Sequence, residues 1–269
     1  MTRGGCGRVL VVAGSDSGGG AGVQADIKTV MALGGYATTA ITALTAQDTL
    51  GVHAVMGVPP DFIRHQMRLA LADIGADCVK TGMLADAATI AAVCDVLEAV
   101  PRRLTLVVDP VMAAKGGASL LETAAVAELK RRLLPLALLL TPNLPEAEIL
   151  AGMAITDEST MHHAAEALLT LGVPAVLLKG GHLPGEDVVD LLATEQGCHV
   201  FRAPRIDTRH THGTGCTLAS AIATGLAQGM SLDDAVGRAR LYVRAAIAAA
   251  PGLGAGHGPL DHAARWSVT

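Results

Sequence analysis

Short apolar blocks alternate along the chain with longer stretches in which apolar positions recur every three or four residues. The blocks read as buried strands and the longer stretches as amphipathic helices, because side chains repeat every two residues in a strand and every 3.6 in a helix. Strands are predicted at 8–13, 37–44, 52–58, 78–80, 104–108, 137–140 and 175–178. Helices are predicted at 24–33, from 59–61 onward, and at 86–100, 119–134, 145–150, 160–171, 213–228 and 232–249. Phe62, Ile63, Met67 and Leu71 form the apolar side of the second helix, and Asp86 caps the third. Residues 188–193 and 199–203 look like a two-strand insertion.

Strand and helix alternating in this way argue for an α/β fold with a largely parallel sheet covered on both faces. In such sheets, sites form beyond the carboxyl ends of the strands. Gly14-Ser15-Asp16, Thr81-Gly82, Asp109, Asn143 and Lys179 all fall at those ends. No linker rich in Pro, Gly and Ser divides the sequence and no internal repeat is found, so 1–269 reads as one domain.

Composition narrows the function. Hydrophobic residues make up 51 % and charged residues 17 %, while Phe, Trp and Tyr make up only 2 %. The core is therefore aliphatic, and binding of single-stranded nucleic acid through stacked rings is excluded. A net charge of −5 without a basic block argues against a nucleic-acid partner. Mean hydropathy is high at +0.43, yet no apolar run reaches the roughly 18–20 residues of a membrane span. The start of the chain shows no cleavable signal pattern, and the 5 scattered cysteines suggest neither a disulfide framework nor a metal site. A cytoplasmic protein is expected.

Four segments carry chemistry. GSDSGGGAG at 14–22 follows a strand and opens a helix; it is neither a Walker A loop nor a dinucleotide fingerprint, and suits a small polar substrate. Asp26, just beyond it, could accept from a ligand hydroxyl or be an ordinary charge near a helix start. Asn143 and Glu146 share a helical face and, with Asp109, could hold Mg²⁺ through its waters; a cap and first-turn acid would look the same locally. Lys179, between a buried strand and two glycines, is placed as a point charge for a polyphosphate.

The sharpest segment is THGTGCT at 211–217, leading into a long helix. The N–H groups of Gly213, Thr214, Gly215 and Cys216 point out of a helix N-terminus and make an anion hole, as phosphoryl transfer requires. Cys216 is expected to have a lowered pKa there, since helix N-termini favour thiolates; a small buried core residue is the alternative. His162 and His163 are expected to face solvent, His210 and His212 flank the anion loop without a third metal ligand, and His257 and His262 belong to the tail.

Seven ordered blocks then stand out: AGSDSGGGAGVQADIKT, ITALTAQDTLGV, VKTGMLAD, VVDPVMAAKGG, LLTPNLPEAEIL, VLLKGGH and THGTGCTLASAIA. Together they resemble the hydroxymethylpyrimidine/phosphomethylpyrimidine kinase family of the ribokinase-like superfamily, over about 9–262. The resemblance implies a three-layer α/β/α fold and two ATP-dependent steps. The first phosphorylates 4-amino-5-hydroxymethyl-2-methylpyrimidine and the second its monophosphate, in thiamine biosynthesis. It implies that Gly14, Ala21, Asp26, Gln47, Met83, Val111 and Cys216 line the pyrimidine pocket. It also implies that Lys179 and Thr214 meet the ATP phosphates, and that Asp109 and Glu146 organise Mg²⁺. Some members carry Glu at the position of Gln47. Sugar kinases of the superfamily have Asp where Cys216 stands, so the cysteine is either base or positioning group. The resemblance further implies a homodimer, with the Thr38–Val58 region as contact or flap. Pyridoxal kinase and a catalytically silent ligand-binding relative are the rival readings.

Overall fold

The computed structural model describes residues 6–112 and 123–265. The elements are β1 (Arg8–Asp16), α1 (Gly22–Ala32), β2 (Tyr36–Gln47), β3 (Val52–Gly57), α2 (Pro60–Asp73), β4 (Cys78–Thr81), α3 (Ala87–Ala99) and β5 (Thr105–Val108). Then follow α4 (Thr123–Glu128), β6 (Leu139–Leu140), α5 (Leu144–Ala151), α6 (Glu158–Leu169), β7 (Ala175–Lys179), β8 (Asp187–Thr194), β9 (Gly197–Pro204), α7 (Thr214–Ala227) and α8 (Leu232–Ala248).

Among the described residues nine strands form one sheet in the order β3-β2-β1-β4-β5-β6-β7-β8-β9. The six from β2 to β7 are parallel, and β3, β8 and β9 add antiparallel edges. The pair read as an insertion is therefore an extension of the same sheet. Side-chain alternation in β1 decides the layers. Leu10 and Val12 face a core shared with α2, α3, α5 and α6, while Val9, Val11 and Ala13 face one shared with α1, α7 and α8. This is the three-layer α/β/α arrangement expected of a ribokinase-like chain.

Two expectations need correction. Phe62 is 57 % exposed; only Ile63 and Met67 of α2 are fully buried, so the apolar side is narrower than its pattern suggested. The predicted helix 119–134 begins outside the described residues. Its described part leaves α4 through a π turn (Leu129–Leu133) and a 3₁₀ turn (Leu134–Leu136), where Pro135 lacks the N–H that regular helix needs. The block at 107–117 likewise runs past Met112 beyond the described residues.

Candidate active site

The first turn of α7 organises the site. Gly213 is its N-cap, in left-handed conformation at φ 82°, and no side chain caps the turn. The opening N–H groups of a helix have no intrahelical acceptor; that of Thr214 donates back to the Thr211 carbonyl at 3.3 Å. Beneath them lies an ion pair: Lys179 Nζ, at the end of β7, donates to Asp109 Oδ1 at 3.1 Å. A Cβ built on Gly215 would sit 3.2 Å from that Nζ and 3.6 Å from Asp109 Oδ2, so the helix start stands directly over the pair. The Thr214 hydroxyl is turned to its own loop, donating to the Thr211 carbonyl at 2.7 Å.

Glu146 is held at the same end of the sheet. Asn143 and Glu146 form a capping box, with Glu146 N donating to Asn143 Oδ1 at 2.9 Å and Asn143 N to Glu146 Oε2 at 2.8 Å. The local cap is therefore real, and it aims rather than excludes a second role. Burial raises the Glu146 carboxyl above its ordinary pKa, and the Asp109 charge adds to that against the pull of Lys179. Two buried carboxylates facing one ammonium leave an excess of negative charge and hard oxygen donors, a set that fits a divalent cation carrying its own waters. Among the described residues no three His, Cys, Asp or Glu converge on one point.

Other predicted residues lie at neighbouring strand ends. Gly14 faces Met83, whose Sδ would lie 3.1 Å from a Cβ there, and Thr42 Oγ1 fixes Met83 by donating to its carbonyl at 2.6 Å. Val111 lines a small cavity with Thr81, Gly82 and Asp109. Cys216 is partly buried. Its expected low pKa is overturned: burial pushes the thiol up to about 12, against the opposing charge of Lys80. Desolvation disfavours the thiolate, and the Lys80 charge and the Gly22 backbone N–H offset it only in part. Cys216 is thus a neutral thiol at physiological pH. Its alkylation by iodoacetamide at pH 8 is expected to run at least about 100-fold slower than that of glutathione, since only the thiolate attacks. Site-resolved mass spectrometry would read this, and an equal rate would refute the protonated thiol.

Asp26 is neither an open acceptor nor a solvated helix charge. It is fully buried, and both its oxygens accept from Lys80 Nζ at 2.9 Å while Oδ1 also accepts from Ser220 Oγ at 2.7 Å. Lys80 is itself fully buried in β4; burial alone would lower its pKa, but the neighbouring Asp26 holds it protonated. Reading the sequence missed Lys80, although a charge inside a buried strand demands a partner.

The glycine-rich loop also differs from expectation. Its backbone N–H groups at Gly18, Gly20 and Ala21 donate to the Asp16 carboxylate at 2.8, 3.1 and 2.8 Å. Asp16, not a ligand, fills that cradle. Burial would raise the Asp16 pKa, but the hydrogen bond from His212 and those backbone donors hold it below the ordinary value. His212 Nε2 lies 2.8 Å from Asp16 Oδ2 and 3.2 Å from the Gln47 amide, joining the first loop, the end of β2 and the anion loop.

The tail closes this side. His257 N donates to the Thr49 carbonyl at 2.8 Å, and His212 bridges Pro259. His262 is buried against Thr217 at 3.0 Å, and burial lowers its pKa to about 4. His262 is thus part of the packed interior, whereas His257 is exposed, with its ring Nδ1 2.9 Å from the Arg209 carbonyl.

A family model described as phosphomethylpyrimidine kinase matches residues 16–261. The thiamine biosynthesis bifunctional protein ThiED of Geobacter sulfurreducens is 56 % identical over 95 % of this chain. The chain spans only about half, 52 %, of that relative. A hydroxymethylpyrimidine/phosphomethylpyrimidine kinase of Streptomyces coelicolor is 49 % identical over 94 % of this chain and 93 % of its own length. A solved ADP complex of Bacillus subtilis pyridoxal kinase matches with a TM-score of 0.89 at 35 % identity, covering 97 % of this chain and 98 % of that one.

Proposed function

The chain belongs to the phosphomethylpyrimidine kinase family and is a kinase, and from that premise we propose that phosphoryl transfer takes place at the start of α7. The reaction is ATP-dependent phosphorylation of 4-amino-5-hydroxymethyl-2-methylpyrimidine, and of its monophosphate, in thiamine biosynthesis. One observation carries the placement: uncapped helix N–H groups stand over the Lys179–Asp109 pair. Donors fixed before the reaction need not reorganise as charge develops on the transferred group, which is why such a hole accelerates transfer.

In this reading Lys179 leaves Asp109 to meet the ATP phosphates, joined by Thr214 and the N–H groups of Gly213, Gly215 and Cys216. Asp109 and Glu146 hold Mg²⁺, which when bound neutralises the polyphosphate charge. Gly14, Ala21, Gln47, Met83 and Val111 surround the pyrimidine, with the Asp26–Lys80 pair beneath. Cys216, a thiol rather than a thiolate, positions the attacking hydroxyl and leaves the anion hole as the main electrostatic contribution. Cys216→Ala is therefore expected to lower kcat while leaving the shape of its pH profile between 6 and 9 unchanged.

The deciding experiment is transfer from ATP to the pyrimidine alcohol, followed by a test of the monophosphate as second substrate. No turnover on either would overturn the reading. The fold likeness to a pyridoxal kinase favours including pyridoxal in the same assay; a larger kcat/KM on pyridoxal would reassign the substrate.

The single nine-stranded sheet supports treating 1–269 as one kinase domain. No described helix is long and apolar enough to cross a membrane, and all five cysteines are free, which supports a cytoplasmic location. A homodimer is supported by the exposed apolar side chains Val55 and Met56 on edge strand β3 and Leu44 on β2, paired with Met56. Sedimentation at micromolar concentration should return twice the chain mass; a monomer would count against it.

A further inference from the structure

Three residues lie side by side across the last strands of the sheet. Lys179 in β7 is in register with Asp190 in β8, and Asp190 with Phe201 in β9. Cross-strand partners point to the same face, here the α7 and α8 side, where the partners Leu177 and Leu192 also pack. Directly opposite residues have Cβ atoms about 5 Å apart, well within the reach of a lysine, and opposite charges so placed attract. Lys179 nevertheless donates to Asp109 at 3.1 Å and not to the carboxylate across from it.

Arg240 of α8 accounts for this. Its Nε donates to Asp190 Oδ2 at 2.7 Å, while the Gly180 N–H donates to Oδ1 at 3.1 Å, so both oxygens are occupied. The Arg240 and Asp190 side chains are each only 12 % exposed. A carboxylate so poorly hydrated, if left without a counter-charge, would take a cation within reach. The guanidinium is held in place from above the sheet. It lies 4.9 Å from the centre of the Phe201 ring, which stacks on His199 at 4.0 Å, and His199 Nδ1 is 3.1 Å from Asp233 Oδ1 at the start of α8. We propose that Arg240 is a positioning residue for Lys179: by occupying Asp190 it denies the lysine its cross-strand carboxylate and keeps the ammonium at Asp109, beside the start of α7. The proposal rests on Lys179 meeting the ATP phosphates, as in the function proposed above. When the lysine leaves Asp109 for those phosphates, an unoccupied Asp190 would compete for it.

The first test needs no nucleotide. A crystal structure of the ligand-free full chain carrying Arg240→Met should show Lys179 Nζ on Asp190; a lysine still on Asp109 overturns the proposal whatever the protein phosphorylates. The second test measures KM for ATP and for the pyrimidine alcohol. Arg240→Met is expected to raise KM for ATP by about 10-fold or more, as loss of one hydrogen bond between charged groups would, and to leave KM for the pyrimidine unchanged. Arg240→Lys, which still neutralises Asp190, should keep most of the ATP affinity. The double variant Arg240→Met/Asp190→Asn decides the matter. Its amide still accepts from Gly180 but no longer attracts a lysine, so KM for ATP should return toward the parent value although the ion pair is gone. A double variant as weak as Arg240→Met would assign Arg240 a merely structural role and overturn the proposal. A lowered Tm with unchanged KM for ATP would do the same. Should Arg240→Met fail to fold, Arg240→Gln, which keeps a neutral donor to Asp190, takes its place with the same expected outcomes. If the wild-type chain does not use ATP, the function proposed above fails, while the crystal structure still decides whether Arg240 keeps Lys179 on Asp109.

Discussion

Gly213→Ala is expected to lower kcat by about 10²–10³-fold, the loss typical when a donor of a preorganised anion hole is displaced. Two effects combine. Gly213 sits at φ 82°, a left-handed conformation that costs an alanine roughly 1–2 kcal/mol. The added Cβ would also run into the Gly20 carbonyl, because the anion loop is packed directly on the glycine-rich loop. Backbone cannot yield as a flexible side chain can, so one loop must move and the N–H groups lose their aim over Lys179 and Asp109. The control is Gly237→Ala in α8, where a Cβ meets nothing within 4 Å. That change should leave activity intact and stabilise slightly, by up to about 1 kcal/mol. Steady-state kinetics on both variants, with circular dichroism to confirm folding, decides the matter. A Gly213→Ala enzyme within a few-fold of normal would remove α7 from the mechanism.

Lys80→Met is expected to produce the largest loss of stability. It leaves the Asp26 carboxylate fully buried with Ser220 as its remaining side-chain partner. Breaking a buried pair from one side costs about 3–5 kcal/mol, or roughly 10 °C in Tm for a chain of this size. The loss depends on pH with a definite sign. An unpaired buried Asp has a folded pKa above its unfolded value near 3.9, so its ionised form opposes folding. The destabilisation should therefore be small near pH 4 and grow as pH rises until the folded pKa is passed. The double variant Lys80→Met/Asp26→Leu removes both charges and should recover much of the loss. Thermal melts at pH 5 and pH 8 test both points. A Lys80→Met protein that melts like the parent at pH 8 would show that the pair carries no stability.

The residues easiest to foresee are those whose role follows from neighbours in sequence. The Asn143–Glu146 capping box, the uncapped turn at Gly213 and the lysine ending β7 all lie where local pattern placed them. The ones missed have partners far away. Asp16 meets His212 across 196 residues, and Lys80 meets Asp26 across 54. No periodicity links such pairs. Lys80 did leave a trace, as a single charge in an otherwise buried strand, whereas Asp16 looked like one more polar residue of a turn. Gly180 beside Lys179 is likewise required by a distant partner, since a Cβ there would strike the Val189 carbonyl.

Sequence alone determined the layered sheet, the family, and the strand ends and helix start at which the site is proposed, because these rest on side-chain period, helix termini and ordered motifs. Tertiary structure decided what those residues are chemically. The charge of Cys216 and the contents of the glycine-rich cradle depend on desolvation and on which distant groups meet. Desolvation turned the expected thiolate into a thiol, and the fold brought His212, beside the start of α7, onto the Asp16 carboxylate of the first loop.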